Sequence, residues 1–330
     1  MKKSSAFLIV VILLILGIFS SKGYASEISS TFTVTAHPSE YQVDKSKTYF
    51  DLSIPEKRKI SLTVSVLNNS NTEITVAGEI NQATTNLNGV VEYGKNEDQL
   101  SGKEPFDITK FASFEQDKVT IAPQKAVDFM INLSVPTVEY AGVVAGGITF
   151  KDITQKKEES EQSMFQNKFA YAIALIIHGN KEKEESEINL KGIKPSQINN
   201  RNILSTIIEN NSSNYINKVS IDAKLMDKTG KIILEEQKEN MQIAPDSLFK
   251  FPIYYKKEKM KPGTYDLKMK IKSDSQEWEL SEKFVIHEET ADELNKKNIK
   301  PMEEKKEIDF IKILLILNIV VLVIVFLRKI

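Results

Sequence analysis

The stretch ISLTVSV at residues 60–66 places an apolar side chain at every second position, with serine or threonine in between. A period of two with one apolar face is the pattern of a β-strand that is buried on one side only. Turn-forming residues follow at 68–70 (NNS), and a similar alternating run, VDFMINL, occupies 127–133. Short strands separated by turns predict an all-β fold built as an Ig-like sandwich.

The second half of the chain repeats this order of landmarks. The tripeptide Asn-Asn-Ser recurs at 210–212, and Ile-Ala-Pro occurs at 121–123 and again at 243–245, each time ahead of an alternating strand. We therefore predict two tandem Ig-like β-sandwich domains. The repeat is explained either by an internal duplication or by features that all such sandwiches share.

The two halves differ in the spacing between these landmarks. Asn68 and Ile121 are 53 positions apart, whereas Asn210 and Ile243 are 33 positions apart. The first half therefore carries an insertion of about 20 residues, which falls within residues 81–103, and loops of this length in compact domains are usually functional or disordered.

Within the insertion, residues 84–93 read TTNLNGVVEY, a polar and amide-rich stretch with a hairpin-turn dipeptide, NG, at its centre. We consider two interpretations, a plain hairpin and a hairpin that also binds a ligand. The candidate ligand-binding residues are Asn86, Asn88, Glu92 and Tyr93. Amides beside an aromatic ring suit neutral ligands rich in hydroxyl and amide groups, such as cell-wall glycans or peptide stems.

Both ends of the chain carry apolar segments. Residues 1–25 have a basic start, a short apolar run and small residues before position 26, which predicts a cleaved secretory signal peptide; a retained signal anchor is the alternative. Residues 308–327 are long and apolar enough for a transmembrane helix, and the basic tail 328–330 predicts a cytoplasmic end. The predicted localisation is the cell membrane, as a single-pass type I protein with most of the chain outside, facing the cell wall.

Charge patterning sets the remaining boundaries. We predict a first sandwich at 26–153, a charged linker or hairpin tip at 154–167, a second sandwich at 168–287 and a charged helical stalk at 288–307. The apolar run at 169–177 is taken as the first strand of the second sandwich, buried on both faces.

Composition excludes several classes of function. The chain has no cysteine, only three widely separated histidines, and a net charge of -1 from 44 basic and 45 acidic residues. Thiol catalysis and disulfides are excluded, and nothing indicates a catalytic residue, a metal site, a cofactor or a nucleic-acid partner. We predict that the protein is not an enzyme.

Several motifs resemble those of WxL-interacting proteins, cell-surface proteins of low-GC Gram-positive bacteria. They lie at residues 31–42, 83–93, 145–148 and 169–175 in the first part, and at 200–201, 243–245 and 251–253 in the second. The resemblance covers nearly the whole chain after the signal peptide. It implies a peptidoglycan-binding domain, a second domain that binds host extracellular matrix, and association with secreted WxL-domain surface proteins. Combined with the two ends, it predicts a membrane-anchored adhesion protein. The alternative is a membrane-tethered assembly module that holds secreted chains by β-strand addition.

Overall fold

The computed structural model describes residues 30–55, 58–96, 99–154, 170–182, 184–255 and 259–298. The strands are β1 Phe32–Ala36, β2 Phe50–Leu52, β3 Lys59–Asn68, β4 Ile74–Gln82, β5 Thr84–Thr85, β6 Val91–Glu92, β7 Ala112–Phe114, β8 Lys118–Ile121, β9 Ala126–Ser134, β10 Val143–Asp152, β11 Ala170–His178, β12 Ile188–Ile198, β13 Arg201–Asn210, β14 Ile216–Asp227, β15 Ile232–Ile243, β16 Ser247–Tyr254, β17 Gly263–Lys272 and β18 Glu277–Ile286. The helices are α1 Ile108–Phe111 and α2 Glu288–Lys297. The predicted all-β character is confirmed.

The first sandwich packs two sheets face to face. One has the strand order β1-β3-β9-β7 and the other β2-β11-β10-β4-β8. In the first of these sheets, β3 and β9 are antiparallel, with Leu62 opposite Ile131 and Val64 opposite Phe129. These four side chains are buried in the core. The serines and threonines between them therefore lie on the outer face, as the alternation predicts.

The second sandwich packs a three-stranded sheet, β12-β13-β16, against a four-stranded sheet, β15-β14-β17-β18. Its core is separate from that of the first sandwich and includes the fully buried Phe249, Phe251 and Ile221. Trp278 on β18 packs partly buried against this core.

The repeated landmarks meet in the same way in both sandwiches. Asn68 Nδ2 donates to the carbonyl oxygen of Ala122 at 3.1 Å, and Asn210 Nδ2 donates to that of Ala244 at 2.8 Å. Each asparagine, fully buried, also donates at 2.8 Å to the carbonyl oxygen four residues ahead. The residue after each Ile-Ala-Pro has a positive φ, 55° in the first sandwich and 47° in the second. One local arrangement thus closes the corresponding turn of each domain.

The strand β11 belongs to the first sandwich, which corrects the predicted boundary at residue 168. It is antiparallel to β10 and parallel to β2, and Ile173, Leu175 and Ile177 are buried in the first core. The alternation of buried and more open residues also shows that β11 is half-buried rather than buried on both faces. Because β10 and β11 are antiparallel neighbours, the charged segment between them connects two strands of one sheet, which favours the hairpin-tip interpretation. Residues 155–169 themselves lie outside the described residues.

The helix α2 corrects the first part of the predicted stalk. It packs against the second sandwich with Ala291 fully buried. Asn295 accepts from the backbone N–H of Met260 at 3.0 Å and donates to its carbonyl oxygen at 2.8 Å. The helix has too few apolar residues for its packing on the sandwich to be predicted from the sequence. Hydrogen bonds from the Asn295 amide hold it in place.

The ends of the chain lie outside the described residues. This applies to the predicted signal peptide at 1–25, the rest of the stalk, the transmembrane segment at 308–327 and the tail at 328–330. In the part of the chain that the structure describes, neither helix combines the length and apolar character needed to cross a membrane.

Candidate functional site

The insertion that the spacing predicts forms a short hairpin at the joint between the two sandwiches. In this hairpin Thr84 pairs with Glu92 and Thr85 with Val91. Both threonines are almost completely buried, with relative exposures of 1% and 0%. A polar loop tip in solvent would leave them exposed, so the hairpin is part of a packed interface.

Asn86 organises the turn of this hairpin. Its Oδ1 accepts hydrogen bonds from the backbone N–H groups of Asn88 at 2.9 Å and Val90 at 3.2 Å. Gly89 follows with φ 72°, a conformation that glycine adopts without strain. The NG dipeptide therefore makes the predicted turn, and the Oδ1 of Asn86 is used within it.

The tip of the hairpin contacts β15 of the second sandwich. The carbonyl oxygen of Gly89 accepts from the N–H of Gln242 at 2.8 Å. Lys238 Nζ lies 3.4 Å from Asn88 Oδ1 and 3.3 Å from the carbonyl oxygen of Leu87. A Cβ added at Gly89 would lie 2.3 Å from Met241 Cγ, so only glycine fits this approach.

Glu92 and Tyr93 make separate contacts at the base of the hairpin. Glu92 Oε1 accepts from Asn96 Nδ2 at 3.1 Å. Tyr93 packs on Gly147 of β10, where an added Cβ would lie 2.4 Å from Tyr93 Cβ. Its carbonyl oxygen accepts from Thr149 Oγ1 at 3.2 Å. The structure therefore brings all four candidate residues onto one hairpin but engages their polar groups in different contacts.

Small and aromatic side chains fill the space between the hairpin and the second sandwich. Ala83, Ala145 and Ala244 are buried together, with Tyr93 and Tyr215 packed around them. Burial raises the pKa of both tyrosines above its ordinary value, so their hydroxyl groups stay protonated even in alkaline solution. The N–H of Ala244 donates to Thr85 Oγ1 at 2.9 Å, which ties the hairpin to the second Ile-Ala-Pro turn.

The rest of the insertion completes the joint. Ser101 donates from Oγ to the carbonyl oxygen of Asp246 at 2.7 Å. Lys103 Nζ lies 3.3 Å from Glu209 Oε2 and donates to Asn211 Oδ1 at 2.7 Å. The Glu209 side chain is only 3% exposed, and Lys191 Nζ lies 3.6 Å from the same oxygen, so this buried carboxylate is paired with two lysines.

Asp246 is the most perturbed acid of the joint. It is 6% exposed, and burial raises its pKa from 3.8 to about 6, with the nearby Glu104 adding to the effect and a hydrogen bond from Ser213 opposing it. Sequence reasoning missed this residue because its neighbours at the joint are distant in sequence; Ser101, which contacts its carbonyl oxygen, is 145 positions away.

A polar cleft of about 300 Å³ opens beside Asp246 between the two sandwiches. Acidic side chains and two lysines line it: Glu139, Glu184, Glu185, Glu187, Lys103 and Lys181. Within the described residues, no group of three or more His, Asp or Glu side chains is arranged to hold a metal ion. The cleft can accommodate water or a small polar group.

In the part of the chain that the structure describes, Ser65, His37 and Asp128 lie together on the outer face of the β1-β3-β9-β7 sheet. Ser65 Oγ donates to Asp128 Oδ1 and lies 2.6 Å from His37 Nε2. Because the single hydroxyl proton goes to the carboxylate, the imidazole is the donor toward Ser65 Oγ. A catalytic triad needs the histidine in the middle, as the base that takes the serine proton. This arrangement cannot activate the serine as a nucleophile in that way.

Comparisons with known proteins follow the division into two sandwiches. Residues 32–152 match the family model described as WxL Interacting Protein, peptidoglycan binding domain, and residues 160–296 match WxL Interacting Protein, host binding domain. The chain belongs to the WxL Interacting Protein family. Both family models describe binding domains rather than enzymes. The start of the second match at residue 160 includes β11, which pairs in the first sandwich.

The solved structures that match this chain include several chaperones, all with low TM-scores. The YadV chaperone is 11% identical with a TM-score of 0.32, covering 77% of this chain and 100% of that one. The Escherichia coli chaperone DraB is 16% identical with a TM-score of 0.27, covering 67% of this chain and 89% of that one. In the complex of the Salmonella enterica SafA pilin with the SafB chaperone, identity is 12% and the TM-score 0.29, with coverage of 68% and 89%. No curated protein matches the chain.

Proposed function

We propose that this WxL Interacting Protein is a non-enzymatic, membrane-anchored cell-surface protein that binds peptidoglycan through its first sandwich. Its second sandwich binds a host extracellular-matrix protein, and the whole associates with secreted WxL-domain proteins at the wall. The match of both binding-domain models, in order along one chain, carries this proposal. The apolar segment at 308–327 supplies the anchor and the signal at 1–25 the export.

Co-sedimentation tests the wall-binding part. A purified fragment of residues 26–300 includes every described element and is expected to sediment with isolated peptidoglycan. Failure of the unmutated fragment to sediment, while remaining folded by circular dichroism, contradicts wall binding.

The ligand role of Asn86, Asn88, Glu92 and Tyr93 stays a prediction, tested in the same assay. Asn86→Ala with Asn88→Ala should weaken sedimentation if the hairpin contacts the wall. The matched control is Asn189→Ala with Gln237→Ala, which removes two amides from the surface of the second sandwich. Equal binding by both double variants contradicts a ligand role and leaves these residues with their contacts at the joint.

The alternative is an assembly module that holds secreted chains by β-strand addition. It is favoured by β18, an edge strand that pairs with β17 over ten residues without a bulge and has no strand on its other side among the described residues. Such an edge can template another strand. Pull-down of WxL-type proteins should then persist after residues 86–90 are replaced by Gly and Ser. Loss of capture on that replacement contradicts strand addition at β18.

A further inference from the structure

One face of the first sandwich is already occupied. On the outer side of β10, Tyr93 covers Gly147, and its carbonyl oxygen accepts from Thr149. Ala145, on the same side of the strand, is 8% exposed and packs with Ala244 of the second sandwich. As a result β10 is buried on both faces along most of its length. A wall polymer cannot reach this part of the sheet.

Among the described residues, no element of the second sandwich covers the opposite face of the first sandwich in this way. It is formed by β1, β3, β9 and β7, all of which lie within the segment 32–152 that matches the peptidoglycan binding domain. Its outward side chains are mostly short and polar, with hydroxyl, amide or carboxylate groups at Thr35, Ser61, Thr63, Ser65, Asp128 and Asn132; the apolar Leu67 and Met130 lie on the same side. Four strands at the usual spacing present a face roughly 15 Å wide.

The middle of this face has little charge. Among β3 residues 61–67 and the residues of β1, β9 and β7 that pair across them, all of which are described, Asp128 is the only formally charged side chain. Its carboxylate already accepts from Ser65. Charges lie at the margins of the face, where Lys59 begins β3 and Glu115 accepts from Asn132 at 3.4 Å. Solvated protein surfaces ordinarily mix many charges of both signs.

The outer face of the four-stranded sheet in the second sandwich shows the ordinary pattern. Lys224 Nζ lies 3.6 Å from Asp222 and 3.7 Å from Glu235, and Lys272 Nζ lies 3.2 Å from Glu277. Two sandwiches of one chain thus expose sheet faces of different chemistry. The difference is not required by the fold, since both sheets keep their apolar residues on the inner side.

We propose that the outer face of the β1-β3-β9-β7 sheet binds the glycan strand of peptidoglycan, an uncharged polymer rich in hydroxyl and acetamido groups. This rests on the proposed wall binding. Serine, threonine and asparagine both donate and accept hydrogen bonds, so they can pair with either type of group on the sugar. Short side chains lose little conformational entropy on binding, and the low charge in the middle of the face limits the cost of removing water from ions.

The test uses the full-length protein in mild detergent and peptidoglycan freed of other wall polymers. Thr35→Glu with Ser61→Glu places two long anionic side chains on the face and is expected to weaken sedimentation roughly tenfold or more. The matched control is Thr120→Glu with Ser281→Glu, which makes the same charge change at exposed positions of β8 and β18 and should bind like the unmutated protein. A second variant, Thr35→Val with Thr63→Val, keeps the shape and the strand preference, removes two hydroxyls and is expected to bind about threefold to tenfold more weakly.

The outcomes separate the two proposals. If the unmutated protein fails to sediment, wall binding itself is contradicted. If the unmutated protein sediments and both face variants bind as well as it does, the assignment of the face is overturned. Soluble glycan strands released by amidase should compete for binding; competition by free stem peptides, and not by these strands, overturns the choice of the glycan.

Discussion

Asp246 is buried at the joint with a left-handed backbone, φ 47°, and a pKa raised by burial to about 6. The folded protein therefore holds a proton there between about pH 4 and pH 6, where the unfolded chain has lost it. Raising the pH through this window lowers the free energy of unfolding. Asp246→Asn, which tolerates the same backbone, should increase that free energy by about 1–3 kcal/mol at pH 7 and change it little at pH 4.

Urea unfolding followed by the fluorescence of Trp278, the only tryptophan, measures this effect. Asp227→Asn is the control, because it is expected to lower the free energy of unfolding at pH 7 where Asp246→Asn raises it. A hydrogen bond from the side chain of Thr229 lowers the pKa of Asp227. The ionised Asp227 therefore stabilises the folded protein at pH 7, and this stabilisation is lost as the pH falls through the lowered pKa. A gain for Asp246→Asn that is equal at both pH values would show that charge is not the cause.

For individual strands and turns, the sequence pattern predicts those features that neighbouring residues determine. The alternation at 60–66 predicts β3, and the NG dipeptide predicts the turn of the insertion hairpin. The pairing of β11 cannot be predicted in this way, because an apolar strand that lies between two sandwiches in the sequence can add to either of them. Its pairing with β10 and β2 depends on contacts across the core, which no local pattern encodes.

The placement of β11 predicts how fragments behave. A fragment of residues 26–153 lacks Ile173, Leu175 and Ile177, each worth about 1.5–3 kcal/mol of burial, which together approach the whole stability of a domain. It also exposes one edge of β10. We expect it to be unfolded or insoluble, whereas residues 26–182 should give a dispersed NMR spectrum and unfold cooperatively. Equally dispersed spectra from both fragments would contradict the assignment of β11 to the first sandwich.

For the whole molecule, the sequence predicts two sandwiches and an insertion in the first, and the structure bears out both. The function of the insertion as a joint could not be predicted. Its contacts on Met241, Gln242 and Ala244 join residues about 150 positions apart, and the buried Thr84 and Thr85 look like ordinary loop residues. The glycan face is likewise visible only once β1, β3 and β9 are placed side by side.

The joint predicts a fixed angle between the sandwiches, and two glycines allow a matched test. Gly89 and Gly102 share the same φ of 72°, but an added Cβ meets Met241 only at Gly89, whereas nothing lies within 4 Å at Gly102. Each alanine variant carries a similar backbone strain of about 1–2 kcal/mol, because alanine is less stable than glycine in the left-handed region. Only Gly89→Ala should also push the hairpin off β15 and break the hydrogen bond from Gln242.

Because the chain has no cysteine, spin labels can be attached at Thr120→Cys and Lys283→Cys, one exposed position on each sandwich. Pulsed electron paramagnetic resonance measures the distance between the two labels. We expect one narrow distance distribution for the labelled parent and for Gly102→Ala, and a broad one for Gly89→Ala. A broad distribution in the parent would mean that the joint does not hold the domains. A narrow one in all three would mean that the remaining contacts, including Lys103 with Glu209 and the N–H of Val143 with Ser213, are sufficient without the hairpin.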